Sequence, residues 1–240
     1  MSKARWTKTL RIDRNFMASA TPDIYPFEVK DCALITLSTG TKVQNLKEFR
    51  DALEKVPLPS IDHHFWGRLL RPQFDEPEYN NDFASWAYRG LHDKPLAERL
   101  SMTLPTDFDS LEALRLELVD TVEQRLDESE MIPWAKADQQ FHFLHSQIVV
   151  FDTGLRFDDP KDLTAYLPSL STGCIFYHFI DARRRTEQRC DDFSAWLSGF
   201  GDRYQSLRER LCGFDPYFSS LDEIRTQIAN LFQAFFEEQS

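Results

Sequence analysis

Residues 27–40, FEVKDCALITLSTG, and residues 141–154, FHFLHSQIVVFDTG, are β-like stretches that both close on Thr-Gly, and Phe27 and Phe141 are offset by 114. The same offset carries Leu53 onto Leu167, and Ile61-x-x-His64-Phe65 onto Ile175-x-x-His178-Phe179, without a gap. After an insertion in the first copy, around Pro72 to Pro77, the correspondence resumes. Asn81-Asp82-Phe83-x-x-Trp86 answers Asp191-Asp192-Phe193-x-x-Trp196, and Leu111-x-x-Leu114-Arg115 answers Leu221-x-x-Ile224-Arg225. A repeat of about 100 residues is a small domain, not a solenoid unit. The expected fold is α+β and predominantly α-helical. Two homologous repeats, each a short β-hairpin with four to five helices, are expected to pack about a pseudo-twofold axis. The expected divisions are a basic N-terminal arm at 1–25, repeat 1 at 26–127, a linker at 128–140 and repeat 2 at 141–238.

Local signals fill in each repeat. Gly40 and Gly154, between apolar runs, predict hairpin turns because glycine accepts positive φ without steric cost. Asn45 with Glu48, and Asp159 with Pro160, predict the starts of the first helices. Ser60 is expected to cap the helix carrying Ile61 and His64, a cap that Cys174 removes from the second copy. Asp82 and Asp192 are expected to cap the helices that hold Trp86 and Trp196. Stripes at helical spacing predict the last helices, Leu111 to Leu126 and Leu221 to Phe235.

Composition narrows the function classes. Twenty Phe and five Trp against eight Gly describe a globular, aromatic-rich interior. Net charge is −11, and since residues 1–25 carry five Lys/Arg against two Asp, the remainder sums to −14. A body that acidic repels phosphate backbones and anionic lipid, so neither nucleic acid nor membrane is expected as a partner. There is no apolar run suited to a secretory signal or a membrane span, and the four cysteines form no C-x-x-C. Reduced thiols and a cytoplasmic location are expected.

Ser60-Ile61-x-x-His64, Asn81-Asp82-Phe83-x-x-Trp86 and Leu111-Glu112-x-Leu114-Arg115, with their counterparts Ile175-x-x-His178, Asp192-Phe193-x-x-Trp196 and Asp215-Pro216 followed by Leu221-x-x-Ile224-Arg225, resemble an uncharacterised bacterial family of tandem-repeat proteins, a domain of unknown function. The resemblance spans about residues 25 to 238. Departures are Cys174 for the motif Ser, Asp191 for the Asn, and Asp107-Phe108 without the Pro of Asp215-Pro216. Genes of that family often neighbour glycosyltransferase or trehalose-metabolism genes. The resemblance therefore implies an accessory role in sugar or stress metabolism and transfers no catalytic residue.

The ligand-binding candidates are His64, His178, Arg68, Asp82, Asp192, Trp86 and Trp196. Two imidazoles and two carboxylates brought together could serve Zn²⁺ or acid/base chemistry. Alternatively, each Asp caps its helix while each His bonds that Asp or the backbone beside Ile61 or Ile175; this structural reading is preferred, so no metal, cofactor or catalytic residue is expected. Arg68, one turn after His64, could complete an anion pocket, but Ala182 stands in its place in the second copy. Arg183-Arg184-Arg185 with Arg189 reads as a solvated face, or as a contact for a phosphate or acidic partner. Asp152-Thr153-Gly154 matches an aspartic-protease pattern, but the other copy supplies Ser38-Thr39-Gly40. His142 and His145 point to opposite faces of an extended stretch. The expected function is a non-enzymatic accessory or regulatory protein, acting through protein contacts or a small metabolite held between the repeats. The alternative is an enzyme using His64 or His178 as acid/base or metal ligand on a sugar or phosphorylated metabolite.

Overall fold

The computed structural model describes residues 24–70, 78–128, 135–186 and 188–238. Most of the basic arm, the Pro72–Pro77 insertion and residues 129–134 of the expected linker lie outside them. The fold is α+β. Two long strands, β1 (Phe27–Asn45) and β2 (Lys136–Phe157), form one antiparallel ribbon in which Phe27 faces Phe157, Leu34 faces Ile148 and Val43 faces Phe141. Strand β2 begins inside the span expected to be linker. After β1 come α1 (Leu46–Leu53), α2 (Leu58–Trp66), α3 (Asp82–Arg89), α4 (Lys94–Ser101) and α5 (Leu111–Asp127). After β2 come α6 (Pro160–Tyr166), α7 (Thr172–Ile175), a π-helical segment (Phe176–Asp181), α8 (Ala182–Arg185), α9 (Asp192–Ser198), α10 (Gln205–Cys212) and α11 (Leu221–Glu238).

The expected hairpins do not form; the strands run straight through both Thr-Gly sites and pair with each other. Only four residues separate Gly40 from the N-cap Asn45, too few for a returning arm. The glycines instead sit in bulges. Thr39-Gly40-Thr41 lies between the pairs Ser38↔Leu144 and Lys42↔His142, so it swells opposite Phe143. Gly40 has φ +80° and Gly154 has φ +75°, and a Cβ at either position would meet nothing within 4 Å, so backbone conformation rather than space selects glycine. Each bulge is buttoned to the opposite strand: Thr39 Oγ1 donates to the Phe143 carbonyl at 2.8 Å, and Thr153 Oγ1 to that of Val29 at 2.7 Å.

The helices bury two cores, and each strand serves both. Phe49, Ile61, Phe65, Phe83 and Leu118 pack with Phe141 and Phe143 from the start of β2, whereas Ile175, Phe179, Phe193, Ile224 and Phe232 pack with Phe27 and Val29 from the start of β1. Each fully buried aromatic or aliphatic side chain stabilises the fold by about 1.5–3 kcal/mol, so neither core can lose its visiting strand without a large loss of stability.

Several starts match their sequence signals. Asn45 accepts from Glu48 N while Glu48 Oε2 accepts from Gln44 N, both at 2.8 Å, and Asp159 caps α6 ahead of Pro160. Others move. Helix α2 starts at Leu58, with Pro59 tolerated in the first turn, so Ser60 lies inside it and donates to the Leu144 carbonyl at 2.7 Å. In the second half the cap is Ser171, whose Oγ accepts from Cys174 N. Asp82 and Asp192 are not N-caps. The caps are the preceding residues, Asn81 accepting from Ala84 N and Asp191 from Ser194 N, each at 2.8 Å. No helix among the described residues is long and apolar enough to cross a membrane.

Candidate functional site

With the caps assigned to Asn81 and Asp191, the next residues are free for the histidines. Asp82 Oδ2 lies 2.9 Å from His64 Nδ1, and the Leu144 backbone N–H donates to His64 Nε2 at 3.1 Å. Asp192 Oδ2 lies 2.8 Å from His178 Nδ1, and the Lys30 N–H donates to His178 Nε2 at 2.8 Å. An accepting Nε2 assigns the proton to Nδ1, which donates to the carboxylate. Both nitrogens of each ring are thus engaged, His64 holding β2 and His178 holding β1. The rings are buried among Phe141 and Phe83, and among Phe27 and Phe193. The tryptophans also hold backbone: Trp86 Nε1 donates to the Gln139 carbonyl at 2.7 Å and Trp196 Nε1 to that of Tyr25 at 3.0 Å.

The two histidines pack in different cores and do not converge on one site. Among the described residues one local trio, His63, His64 and Asp82, brings donor atoms within 4.8 Å of one another. A cation on His64 Nδ1 would displace its proton to Nε2, against the Leu144 N–H. His63 Nδ1 is itself hydrogen-bonded to Ser146 Oγ. Arg68 sits near Asp82 and Tyr217; desolvation lowers its pKa, and those two groups oppose the shift. Asp152 is exposed and paired with Arg156 and Lys30, which with the Gly154 N–H hold its carboxyl far below the usual range, unlike a proton-sharing dyad. His142 is exposed and His145 half-buried.

A cleft of about 380 Å³ opens between the two cores. Trp66, at the end of α2, packs against both cores and lines the cleft with Phe176, Asp62, Asp181, Arg184 and Arg189. The arginine run is not a free solvated face. Arg184 reaches Asp181 at 2.6 Å and Asp62 at 3.6 Å, while Arg185 binds Asp181 at 2.7 Å and Asp192 at 3.0 Å and stacks over Tyr177. Burial pushes the Asp62 carboxyl up to about 6, opposed by Arg184 and reinforced by Asp181. Sequence reasoning missed both aspartates. Asp181 had a legible signal, its spacing of three and four from Arg184 and Arg185 on one helical face; Asp62 had none, because its environment is made by distant residues.

Comparison with known proteins finds a family of unknown function, DUF5752, whose model matches residues 24–233. The chain belongs to this family. A similar solved structure, "The structure of OrfY from Thermoproteus tenax", superposes on this DUF5752 chain with a TM-score of 0.75 at 25% identity, covering 87% of this chain and 94% of that one. No curated protein matches the chain.

Proposed function

We propose that this protein is a non-enzymatic accessory or regulatory protein that binds a small polar ligand in the cleft between two homologous units, residues 26–127 and 141–238, related by an approximate twofold axis. The observation carrying the ligand reading is the cleft, about 380 Å³ in volume, with Trp66 and Phe176 beside Asp62, Asp181 and Arg184. A small polar metabolite fits that size and that mixture of apolar and charged side chains. Support for the duplication comes from the offset of 114 and from the matched partners of His64 and His178. The engaged imidazole nitrogens favour a structural role over acid/base work. Exposed Ile35 and Phe151 on the ribbon favour a protein partner as the recipient of the signal. The link to sugar or stress metabolism rests on the motif resemblance.

The test is calorimetry of the full chain against a panel of small polar metabolites, repeated with Trp66→Ala. Binding that Trp66→Ala weakens at least tenfold supports the reading; binding indifferent to Trp66, or none across the panel, overturns it. The trio His63, His64 and Asp82 favours a second reading, a metal-dependent enzyme. About one zinc or iron per chain, lost in His63→Ala/His64→Ala, would show a metal site there and favour that reading instead.

A further inference from the structure

The cleft's charges narrow its ligand, an inference that rests on the ligand-binding reading above. Three arginines line the cleft: Arg183, Arg184 and Arg189. Arg183 lies over the Phe179 ring and donates to the Phe214 carbonyl at 3.2 Å, but makes no ion pair among the described residues. Most of its donors are uncommitted. Arg189 holds its backbone at φ +54°, an unfavourable conformation for a residue with a Cβ. From there it spans the cleft to the Phe108 carbonyl at 2.7 Å and Asp109 at 3.2 Å. Asp109 is fully exposed and Arg189 half exposed, so their contact is weak and screened by salt. Arg184 is shared unequally, close to Asp181 and loosely with Asp62.

The other carboxylates of the cleft are held differently. Asp181 is buried and bonded to Arg184 and Arg185, whereas Asp109 is fully exposed and pairs with Arg189. Asp62 lies 3.6 Å from Arg184 and feels Asp181, while Asp109, Arg183 and Arg189 also line the cleft. Burial disfavours the ionised form of Asp62.

We infer that the cleft binds the phosphate group of a small phosphomonoester, gripped by Arg183, Arg184 and Arg189, with Trp66 and Phe176 against its organic part, and that Asp62 releases Arg184 and takes a proton from solvent as the oxyanion enters. A tetrahedral oxyanion presents enough acceptors for several guanidinium forks, whereas one carboxylate is filled by a single fork.

Calorimetry on the full chain tests this with inorganic phosphate, glycerol phosphate and sulfate, against acetate and glycerol as controls. Phosphate and glycerol phosphate should bind and acetate should not, and Arg183→Gln and Arg189→Gln should each weaken binding at least tenfold. If Arg183→Gln fails to fold, Arg189→Gln, at an exposed position, carries the test. Sulfate does not titrate over this range, so its affinity isolates Asp62. It should fall about tenfold from pH 5 to pH 7, because a carboxyl near 6 must be protonated for binding, and Asp62→Asn should flatten that slope. Oxyanion binding indifferent to both arginine variants overturns the inference. So does a flat sulfate profile, which leaves Asp62 without its role. Absence of oxyanion binding alongside Trp66-dependent binding of glycerol or another neutral compound overturns the inference while sparing the ligand-binding reading; absence of any binding removes both.

Discussion

His64 and His178 carry hydrogen bonds from both ring nitrogens, one to a carboxylate and one from a strand N–H. Truncation removes a buried aromatic-sized side chain and leaves a half-buried N–H without its acceptor. His64→Ala and His178→Ala are each expected to cost about 3–5 kcal/mol, read from denaturant midpoints. A loss under about 1 kcal/mol would contradict the structural role. Asp191 makes a second residue-scale point. Burial, resisted by Ser194 hydrogen bonds, raises its carboxyl above the ordinary range. An acid whose folded pKa exceeds its unfolded one weakens the fold as pH rises from the unfolded value through the folded value. Asn81 caps α3 uncharged. Asp191→Asn should therefore melt like the parent near pH 3 and above it at pH 8, as thermal scans can establish. At this scale the sequence left one ambiguity: Asn81-Asp82 and Asp191-Asp192 are pairs of good capping residues, and a one-residue shift of the helix start decides which bonds the backbone and which the histidine.

At the element scale, helical stripes and caps such as Asn45 and Asp159 were legible because their determinants lie within a turn of each other. The strands were half legible. Apolar residues mark an extended stretch, but its partner is written elsewhere in the chain, and Thr-Gly fits a bulge as well as a turn. In the cleft, Arg183, Arg184 and Arg189 stood out as a cluster, while Asp62 gained its meaning when α8 approached α2. The bulges can be tested directly. Thr39→Val and Thr153→Val keep the shape and delete the hydroxyl, and each should cost about 1 kcal/mol. Gly40→Ala should cost about 1 kcal/mol through φ alone, since nothing crowds the position. Midpoints unchanged in all three variants would mean that the bulges carry no stabilising geometry.

At the scale of the whole molecule, the two cores are joined by their strands as well as by Trp66 and by Tyr217, which reaches from beyond α10 into the first core and accepts a hydrogen bond from Asn81. Unfolding should be one cooperative transition, with tryptophan fluorescence and far-UV circular dichroism giving the same midpoint. Phe27→Ala, although in β1, should destabilise the core of α6–α11 by about 3–5 kcal/mol and shift both probes together. Separate midpoints in that variant would show the cores to be independent.

The reach of the strands also bears on synthesis. The Lys30 N–H finds its acceptor on His178, 148 residues later, and Leu144 must appear before His64 is bonded. At about 5–20 residues per second, a ribosome leaves the first strand waiting roughly ten seconds for its antiparallel neighbour. During that interval FEVKDCALITL is an unpaired, apolar, β-branched segment able to pair with the same segment on an adjacent nascent chain. Yield in cells should therefore depend on translation rate and on holdase chaperones more than the final stability would suggest.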